Sequence, residues 1–279
     1  MNSNSNSNNN NNNKNNNEKS LNIAVLSLQG GFKEHVDMIH SLANEYKGIV
    51  DLNVKEIRSY EQMKEFKPDG VILPGGESTS MSIIASSHST SKSENIFEYL
   101  RQYVESGNPI WGTCAGSIML SNQVEGQKEG GQSLIGGLDT LISRNYFGRQ
   151  INSFIKKVDL KLIGDNHDSV DESERSTSIL HDFEAVFIRA PAILKVLDSD
   201  KVSIICEIDV DLPKHRVNSS PSSSTITTEK IIIGVRQSNI LATVFHPELT
   251  NDNRFHKYFI DIVLKHKLLN NSNNNNNNK

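Results

Sequence analysis

The chain has little of what marks an extracellular or membrane-bound protein. Its 279 residues include only two cysteines, Cys114 and Cys206, so we expect no disulfide framework and a reducing compartment. No apolar run approaches the roughly 18 residues of a transmembrane helix, and the start shows no charged-then-apolar leader. The formal net charge of -4 indicates neither nucleic acid nor an anionic membrane as a partner. We therefore expect a cytoplasmic protein.

Both ends and three internal segments have compositions that predict disorder or flexible loops. Residues 1–20 are mostly Asn and Ser, and residues 270–279 are nearly all Asn, so neither offers apolar surface to offset chain entropy. Polar, Ser-rich or charged inserts are predicted at 86–94, 164–178 and 211–229. The folded part then spans residues 21–269, which is enough for one large domain.

Short apolar runs alternate with helical patterns in the first part of the chain. Strands are predicted at 22–28, 50–57 and 70–73, and helices at 32–46, 59–66 and 96–105. This βαβα order predicts an α/β fold with a doubly wound, mostly parallel sheet. Later strands are expected at 183–188 and 202–208, then a hairpin of 230–235 and 239–245, and a closing helix at 254–268. Cys206 falls within a predicted strand, so we interpret it as a core residue.

The clearest chemical signal is the run Trp111-Gly112-Thr113-Cys114-Ala115-Gly116. An apolar strand ends there in Gly-x-Cys-x-Gly, and a helical pattern begins at once. This is the layout of a nucleophile elbow, in which the nucleophile lies at the apex of a sharp turn. The start of the helix favours a thiolate on Cys114, and the N–H of Ala115 is placed to bind an oxyanion. The alternative is a buried cysteine in an ordinary strand and turn.

A second candidate group ends the last predicted strand, at Phe245-His246-Pro247-Glu248. Residues two apart on an extended chain point to the same side, and a residue before proline avoids the helical region. Glu248 can therefore orient the imidazole of His246, which can exchange a proton with Cys114. The other eight histidines are expected at the surface, and no spacing of His, Cys, Asp and Glu indicates a metal site.

Two further motifs suit the binding of a substrate anion. Pro74-Gly75-Gly76-Glu77-Ser78-Thr79 directly follows a predicted strand, and its glycines expose backbone N–H groups that suit an oxyanion or a carboxylate. Arg144 lies in a run with an aromatic residue and a glycine, and its guanidinium can clamp a substrate carboxylate. The alternatives are a plain Gly-rich turn for the first motif and a solvated strand edge for the second.

Taken in order, these motifs resemble the class I, triad-type glutamine amidotransferases. Within that class the chain is similar to the glutaminase subunits of pyridoxal 5'-phosphate synthases. The resemblance is carried by Leu28–Gly30, Leu73–Thr79, Gly112–Gly116, Arg144–Gln150, Phe187–Pro191 and Phe245–Thr250. Together these stretches span about residues 23–264, which is nearly the whole of the expected folded part.

The resemblance implies a three-layer, flavodoxin-like sheet with helices on both faces, and hydrolysis of L-glutamine to glutamate and ammonia. Cys114 would form a thioester, His246 and Glu248 would complete the triad, and the N–H groups of Gly76 and Ala115 would hold the oxyanion. The positions that match the family's glutamine-binding residues are Gly76, Glu77, Ser78, Arg144, Ile188 and Arg189. No metal or cofactor is implied.

The resemblance also implies a protein partner. In this family the ammonia passes to a separate synthase subunit, a (β/α)8 barrel that builds pyridoxal 5'-phosphate. The glutaminases of the family are poorly active until they dock on that barrel, which completes the oxyanion hole.

Three other assignments stay open at this point. One is the glutaminase subunit of an imidazole or purine pathway, which shares the triad but not the other motifs. Another is a catalytically silent regulatory subunit, although such a copy has no need of Cys114, His246 and Glu248 together. The third is a cysteine hydrolase of unrelated substrates, which leaves Arg144 and Arg189 unexplained.

Overall fold

Strands and helices alternate through the first 120 residues, as the apolar pattern predicts. The strands are Ser20–Leu26 (β1), Asp51–Ile57 (β2), Gly70–Leu73 (β3) and Ile110–Thr113 (β4). The helices are Phe32–Ser41 (α1), Tyr60–Phe66 (α2), Ser78–Ser87 (α3), Ile96–Glu105 (α4) and Ala115–Leu120 (α5). A computed structural model describes residues 20–87, 95–127, 131–144, 146, 153–164, 177–213 and 226–276. The predicted N-terminal tail up to residue 19, most of each predicted insert and the motif residues 145 and 147–150 lie outside these ranges.

The second part of the chain is richer in strands. They are Ser121–Val124 (β5), Leu138–Ser143 (β6), Ser153–Ile163 (β7), Thr177–Ile188 (β8), Ala192–Val196 (β9), Val202–Pro213 (β10), Ile226–Gln237 (β11) and Ile240–Thr243 (β12). A short 3-10 helix, Pro247–Leu249, and the helix Arg254–Asn276 (α6) follow the last strand. β11 and β12 pair as the predicted antiparallel hairpin.

The sheet has a parallel core in the order β2-β1-β3-β4-β12. Since β12 is the fifth strand of this core, the order is that of flavodoxin-like folds. Beyond β12 the sheet continues through β11, β9, β6 and β5, and antiparallel pairs join β12, β11, β9 and β6. β7 and β8 pair only with each other among the described strands. The prediction of an α/β fold with a mostly parallel central sheet is confirmed.

Helices cover the parallel core in two groups, so the fold has three layers. α1 contacts α6, whereas α3 contacts both α4 and α5, and α2 contacts α4. Every residue of β3 and of β4 is buried, as expected for strands that are covered on both faces. Cys206 is buried in β10, which confirms its interpretation as a core residue, and burial raises the pKa of its thiol to about 12.

Several element ends differ from the predictions. α6 runs to Asn276, into the segment predicted to be a disordered tail, because extending a docked helix needs no new nucleus. β10 and β11 extend into the predicted 211–229 loop, where Asp211 pairs with Thr228 as the ladder continues. α3 and β8 likewise each extend into a predicted insert. The predicted helix 32–46 is shorter, since α1 ends at Ser41 and turns follow.

Among the described residues, no helix combines the length and the apolar character needed to cross a membrane.

The turn from β4 to α5 packs directly against the end of β3. A Cβ atom added at Gly116 would lie 2.0 Å from the carbonyl oxygen of Leu73, which is far below any tolerated contact. We expect Gly116→Ala to lower the free energy of unfolding by more than about 3 kcal/mol, because backbone has to move to relieve the clash.

Gly48→Ala is the matched control in a urea titration of both variants. Gly48 has a φ of 85° but open space around its missing Cβ, so only the left-handed backbone penalty of about 1–2 kcal/mol applies. Equal losses in the two variants would contradict the packing argument.

Candidate active site

Three loops meet at the carboxyl edge of the parallel strands. Gly75 and Gly76 follow β3, Cys114 follows β4, and His246 follows β12. These three strands are neighbours in the sheet, so their ends bring the loops together. In doubly wound folds ligands bind at this edge.

Cys114 lies at the apex of a strand-turn-helix elbow. Its backbone has φ 47° and ψ -103°, a conformation that is rare for a residue with a side chain. The N–H of Cys114 donates to the carbonyl of Thr243 on β12, and the Ser117 hydroxyl donates to the Cys114 carbonyl at 2.6 Å. The strain is therefore held from both sides of the turn, and it fixes the direction of the sulfur.

His246 and Glu248 form a close pair. Nδ1 of His246 lies 2.7 Å from Oε1 of Glu248, and the Glu248 side chain is fully buried. The backbone N–H of His246 donates to the carbonyl of Val186 on β8, which anchors the residue to the second sheet. The local geometry differs from the expectation of an extended chain, because Glu248 belongs to the 3-10 helix that begins at Pro247. A proline is compatible with the first turn of a helix, so Pro247 allows this turn.

The side chains of His246 and Cys114 meet across Gly75. Burial acts to lower the pKa of His246, but hydrogen bonds with Cys114 and Glu248 outweigh it and raise the pKa to about 10. Since Nδ1 faces Glu248, the other ring nitrogen is left for the sulfur. A Cβ atom added at Gly75 would lie 2.2 Å from Cε1 of His246 and 3.2 Å from Cβ of Cys114, so only glycine leaves room for this pair.

A cavity of about 490 Å³ opens in front of Cys114. Its walls come from the ends of β3, β4, β8 and β12 and from the loop after β6. The lining residues are Gly76, Glu77, Ser78, Thr79, Cys114, Ala115, Ile118, Arg144, Ile188, Arg189, Pro191 and His246. The structure thus brings together every candidate site residue from the sequence except Glu248, which lies behind His246.

Two of the candidate binding residues contact glutamine side chains that no sequence motif predicted. The Ser78 hydroxyl lies 2.9 Å from Oε1 of Gln132, and the Arg144 guanidinium donates to Oε1 of Gln127. Gln127 also donates to the backbone carbonyl of Gln132, so one loop holds both binding residues. Nε of Arg144 is buried and has no hydrogen-bond partner among the described residues, which leaves a donor for a ligand.

Glu77 differs from its neighbours because its carboxylate turns back onto its own helix. It accepts hydrogen bonds from the N–H groups of Thr79 and Ser80 and from the Ser80 hydroxyl. The Ser80 hydroxyl is the main reason that the pKa of Glu77 falls to about 2. Its side chain therefore caps the start of α3, and its backbone N–H donates to Oε1 of Gln29.

The two predicted oxyanion donors are the N–H groups of Ala115 and Gly76, and both residues line the cavity with Cys114. Ala115 is the first residue of α5, so its N–H has no place in the helical hydrogen-bond ladder. The carbonyl of Gly75 accepts from the N–H of Gly31, and all described peptide bonds are trans. The N–H of Gly76 therefore faces away from the Gly30–Gly31 turn.

The expectation that the other histidines lie at the surface is wrong for His35 and His256. Both are fully buried, and His35 lies within 3.4 Å of Glu248. Their positions were readable from helical spacing, since His35 shares a helix face with Ile39 and His256 shares one with Phe259. In the part of the chain that the structure describes, no three His, Cys, Asp or Glu side chains form a group that could hold a metal ion.

A strained cysteine beside a histidine that a buried carboxylate orients defines a triad-type cysteine hydrolase. The chain belongs to the SNO glutamine amidotransferase family, and the match covers residues 25–265.

Named relatives agree with this family. A protein of Dictyostelium discoideum described as a probable pyridoxal 5'-phosphate synthase subunit pdx2 is 52% identical over 90% of this chain and 96% of its own length. The probable subunit PDX2 of Arabidopsis thaliana is 40% identical over 86% of this chain and 85% of its own length. A solved structure described as a glutamine amidotransferase covers 86% of this chain and 98% of its own, with 30% identity and a TM-score of 0.60.

The two cysteines should react very differently with iodoacetamide. A His246 that stays protonated to about pH 10 keeps a positive partner beside the Cys114 sulfur. We expect fast alkylation of Cys114, because it lines an open cavity beside the protonated His246 and the thiolate is the reacting species. Cys206 should stay unlabelled in the folded protein, which peptide mass spectrometry can check. Labelling of Cys206 as fast as that of Cys114 would contradict this difference in environment.

Proposed function

We propose that the chain hydrolyses L-glutamine to L-glutamate and ammonia at Cys114, and that it supplies the ammonia to a separate pyridoxal 5'-phosphate synthase subunit, a (β/α)8 barrel. The proposal depends mainly on one observation, the meeting of Cys114, His246 and Glu248 at one sheet edge beside a cavity. Membership of the glutamine amidotransferase family and the names of the relatives support vitamin B6 synthesis over the imidazole and purine alternatives.

The first half of the reaction makes a thioester. The Cys114 sulfur attacks the side-chain amide carbon of glutamine, and the carbonyl oxygen becomes an oxyanion. The N–H groups of Ala115 and Gly76 bind that oxyanion. His246 gives the proton on its second ring nitrogen to the amide nitrogen, the C–N bond breaks, and ammonia leaves.

The second half releases glutamate. Neutral His246 takes a proton from a water molecule as the water oxygen attacks the thioester carbon. The C–S bond then breaks, the sulfur leaves as a thiolate, and His246 is again protonated beside it. Glu248 stays ionised throughout and holds the ring in one orientation.

Charged groups in the cavity suit the amino-acid end of glutamine. Arg144 and Arg189 line the cavity, and a guanidinium pairs with a carboxylate through two parallel hydrogen bonds. Gly76, Glu77 and Ser78 line the same cavity. Arg189 has a φ of 46°, so its backbone is strained next to the substrate, as binding-site residues often are.

The partner and the compartment follow from the same chemistry. Ammonia protonates in water, so delivery to a docked synthase subunit preserves it as a nucleophile. A reducing cytoplasm keeps the Cys114 thiol from oxidation.

Glutamate release measured with and without a synthase barrel subunit tests the proposal. We expect activity that rises when the barrel is present, and Cys114→Ala should lower it by at least about 1,000-fold, because the covalent route is lost. Cys206→Ala is the matched control and should keep its activity, since Cys206 lies in the core of β10. Absence of glutamate release in every combination would favour a silent binding subunit.

Replacing one arginine separates binding from chemistry. We expect Arg144→Met to raise KM for glutamine about tenfold or more while kcat changes less, because a charge-assisted contact is made in ground state and transition state alike. Arg58→Met is the matched control, since the Arg58 side chain is exposed and pairs with Glu56 outside the cavity. A fall in kcat at unchanged KM would contradict the binding role.

A further inference from the structure

Two buried histidines lie behind the triad and have no part in the reaction described above. His35 on α1 and His256 on α6 are each fully buried. Both pack edge-on against Trp111, at centroid distances of 5.5 Å and 5.0 Å. Two imidazoles in an apolar core require partners, because an unpaired buried polar group is costly.

His35 lies close to three groups: His256, the Thr113 hydroxyl and the outer oxygen (Oε2) of Glu248. Nδ1 of His35 lies 2.8 Å from Nε2 of His256, and Nε2 of His35 lies 3.2 Å from the Thr113 hydroxyl. The same Nε2 is 3.4 Å from Oε2 of Glu248. Oε1 of Glu248 is occupied by His246, whereas Oε2 is buried with no hydrogen-bond partner of normal geometry among the described residues. His35 is thus positioned to share one proton between Thr113 and this oxygen.

Both histidines are neutral at physiological pH. Burial, followed by the charges of His256 and His246, holds the pKa of His35 well below its ordinary value. Burial lowers the pKa of His256 to about 3, against the opposing charge of Asp252. A single proton therefore lies between the two rings.

The position of that proton follows from the atoms that lack partners. If His35 held it on Nδ1, a bare Nε2 would face the Glu248 carboxylate, and His256 would carry a buried N–H on Nδ1, which has no acceptor among the described residues. If His256 holds it on Nε2, His35 carries its own proton on Nε2, toward Glu248. The second arrangement leaves no donor unsatisfied, and unsatisfied donors are the more costly.

The turn that precedes α1 covers the Glu248 carboxylate and shields it from water. A Cβ atom added at Gly31 would lie 2.8 Å from Oε1 of Glu248, so the backbone of the turn lies directly on the carboxylate. The Glu248 side chain has no exposure to solvent, and Nε2 of His35 lies 3.4 Å from its outer oxygen, where it can act as the donor.

We propose that His35 is a positioning residue of the glutaminase: its Nε2–H holds the outer oxygen of Glu248, and His256 fixes the ring in the tautomer that does so. The proposal rests on the proposed function, since it gives Glu248 the task of orienting His246. His35 acts through Glu248 and does not touch the substrate.

Three variants test this role in the complex with the synthase barrel. We expect His35→Leu to lower kcat by about 10–100-fold with KM for glutamine nearly unchanged, because a hydrogen bond to a charged group is lost. His35→Gln should recover most of that loss, since its amide can donate from the place of Nε2. Ile39→Ala on the same helix face is the matched control and should lower stability without changing kcat. If His35→Leu and Ile39→Ala behave alike, or if His35→Gln recovers nothing, the proposal is wrong.

Alkylation of Cys114 gives a readout that does not need glutamine. In His35→Leu the looser Glu248 should lower the pH at which His246 loses its proton, so alkylation of Cys114 at about pH 9 should be slower than in the wild-type protein. The control variant Ile39→Ala should keep the wild-type rate. If the wild-type protein proves to lack glutaminase activity, the proposed function fails, yet this comparison still decides whether His35 supports the triad.

Trp111 reports the protonation of the two rings directly. It is the only tryptophan in the chain, and protonated histidine quenches a neighbouring indole. Glu248, His246 and Asp252 are the titrating groups that act on the pair. We expect no change in Trp111 fluorescence between about pH 8 and 5, because both rings stay neutral there. A quenching midpoint near pH 6.5 would contradict the neutral tautomer.

Discussion

The enclosed carboxylate of Glu248 is the constraint on which the rest of the site depends. Its side chain has no exposure to solvent, and imidazole rings are its neighbours on both sides. An unpaired buried carboxylate is strongly unfavourable, and a positively charged ring beside it offsets that cost. That ring is His246, whose pKa is raised, whereas His35 stays neutral.

The second sheet also helps to position the candidate site. β8 pairs only with β7 among the described strands, yet its Val186 carbonyl holds the backbone of His246. Ile188, two residues further along the same strand, and Arg189 after it both line the cavity. One antiparallel strand therefore fixes the base of the triad and one wall of the cavity together. A shift of β8 would therefore move both His246 and this wall of the cavity.

The features that could be predicted are the local ones. The elbow around Cys114 is encoded in consecutive residues, because strand, sharp turn and helix each have a sequence pattern. The partnership of His35 and His256 joins residues 221 positions apart, and it depends on α1 packing against α6. Spacing places each ring on a buried helix face, but it does not say which ring meets which. The 3-10 turn at Glu248 could not be predicted for a different reason: proline is compatible with both an extended chain and the start of a helix.

The three histidines of the site respond to pH in opposite directions. His246 has a raised pKa, so its contribution to stability is complete below the unfolded value of about 6.5 and is lost as the pH rises through about 10. His256 has a lowered pKa, so the unfolded chain binds its proton first, and stability is lost as the pH falls from about 6.5 toward 3. The pKa of His35 is also lowered, so His35 likewise lowers the stability of the folded protein as the pH falls. The site is therefore most stable near neutrality, with the triad charged and its support neutral.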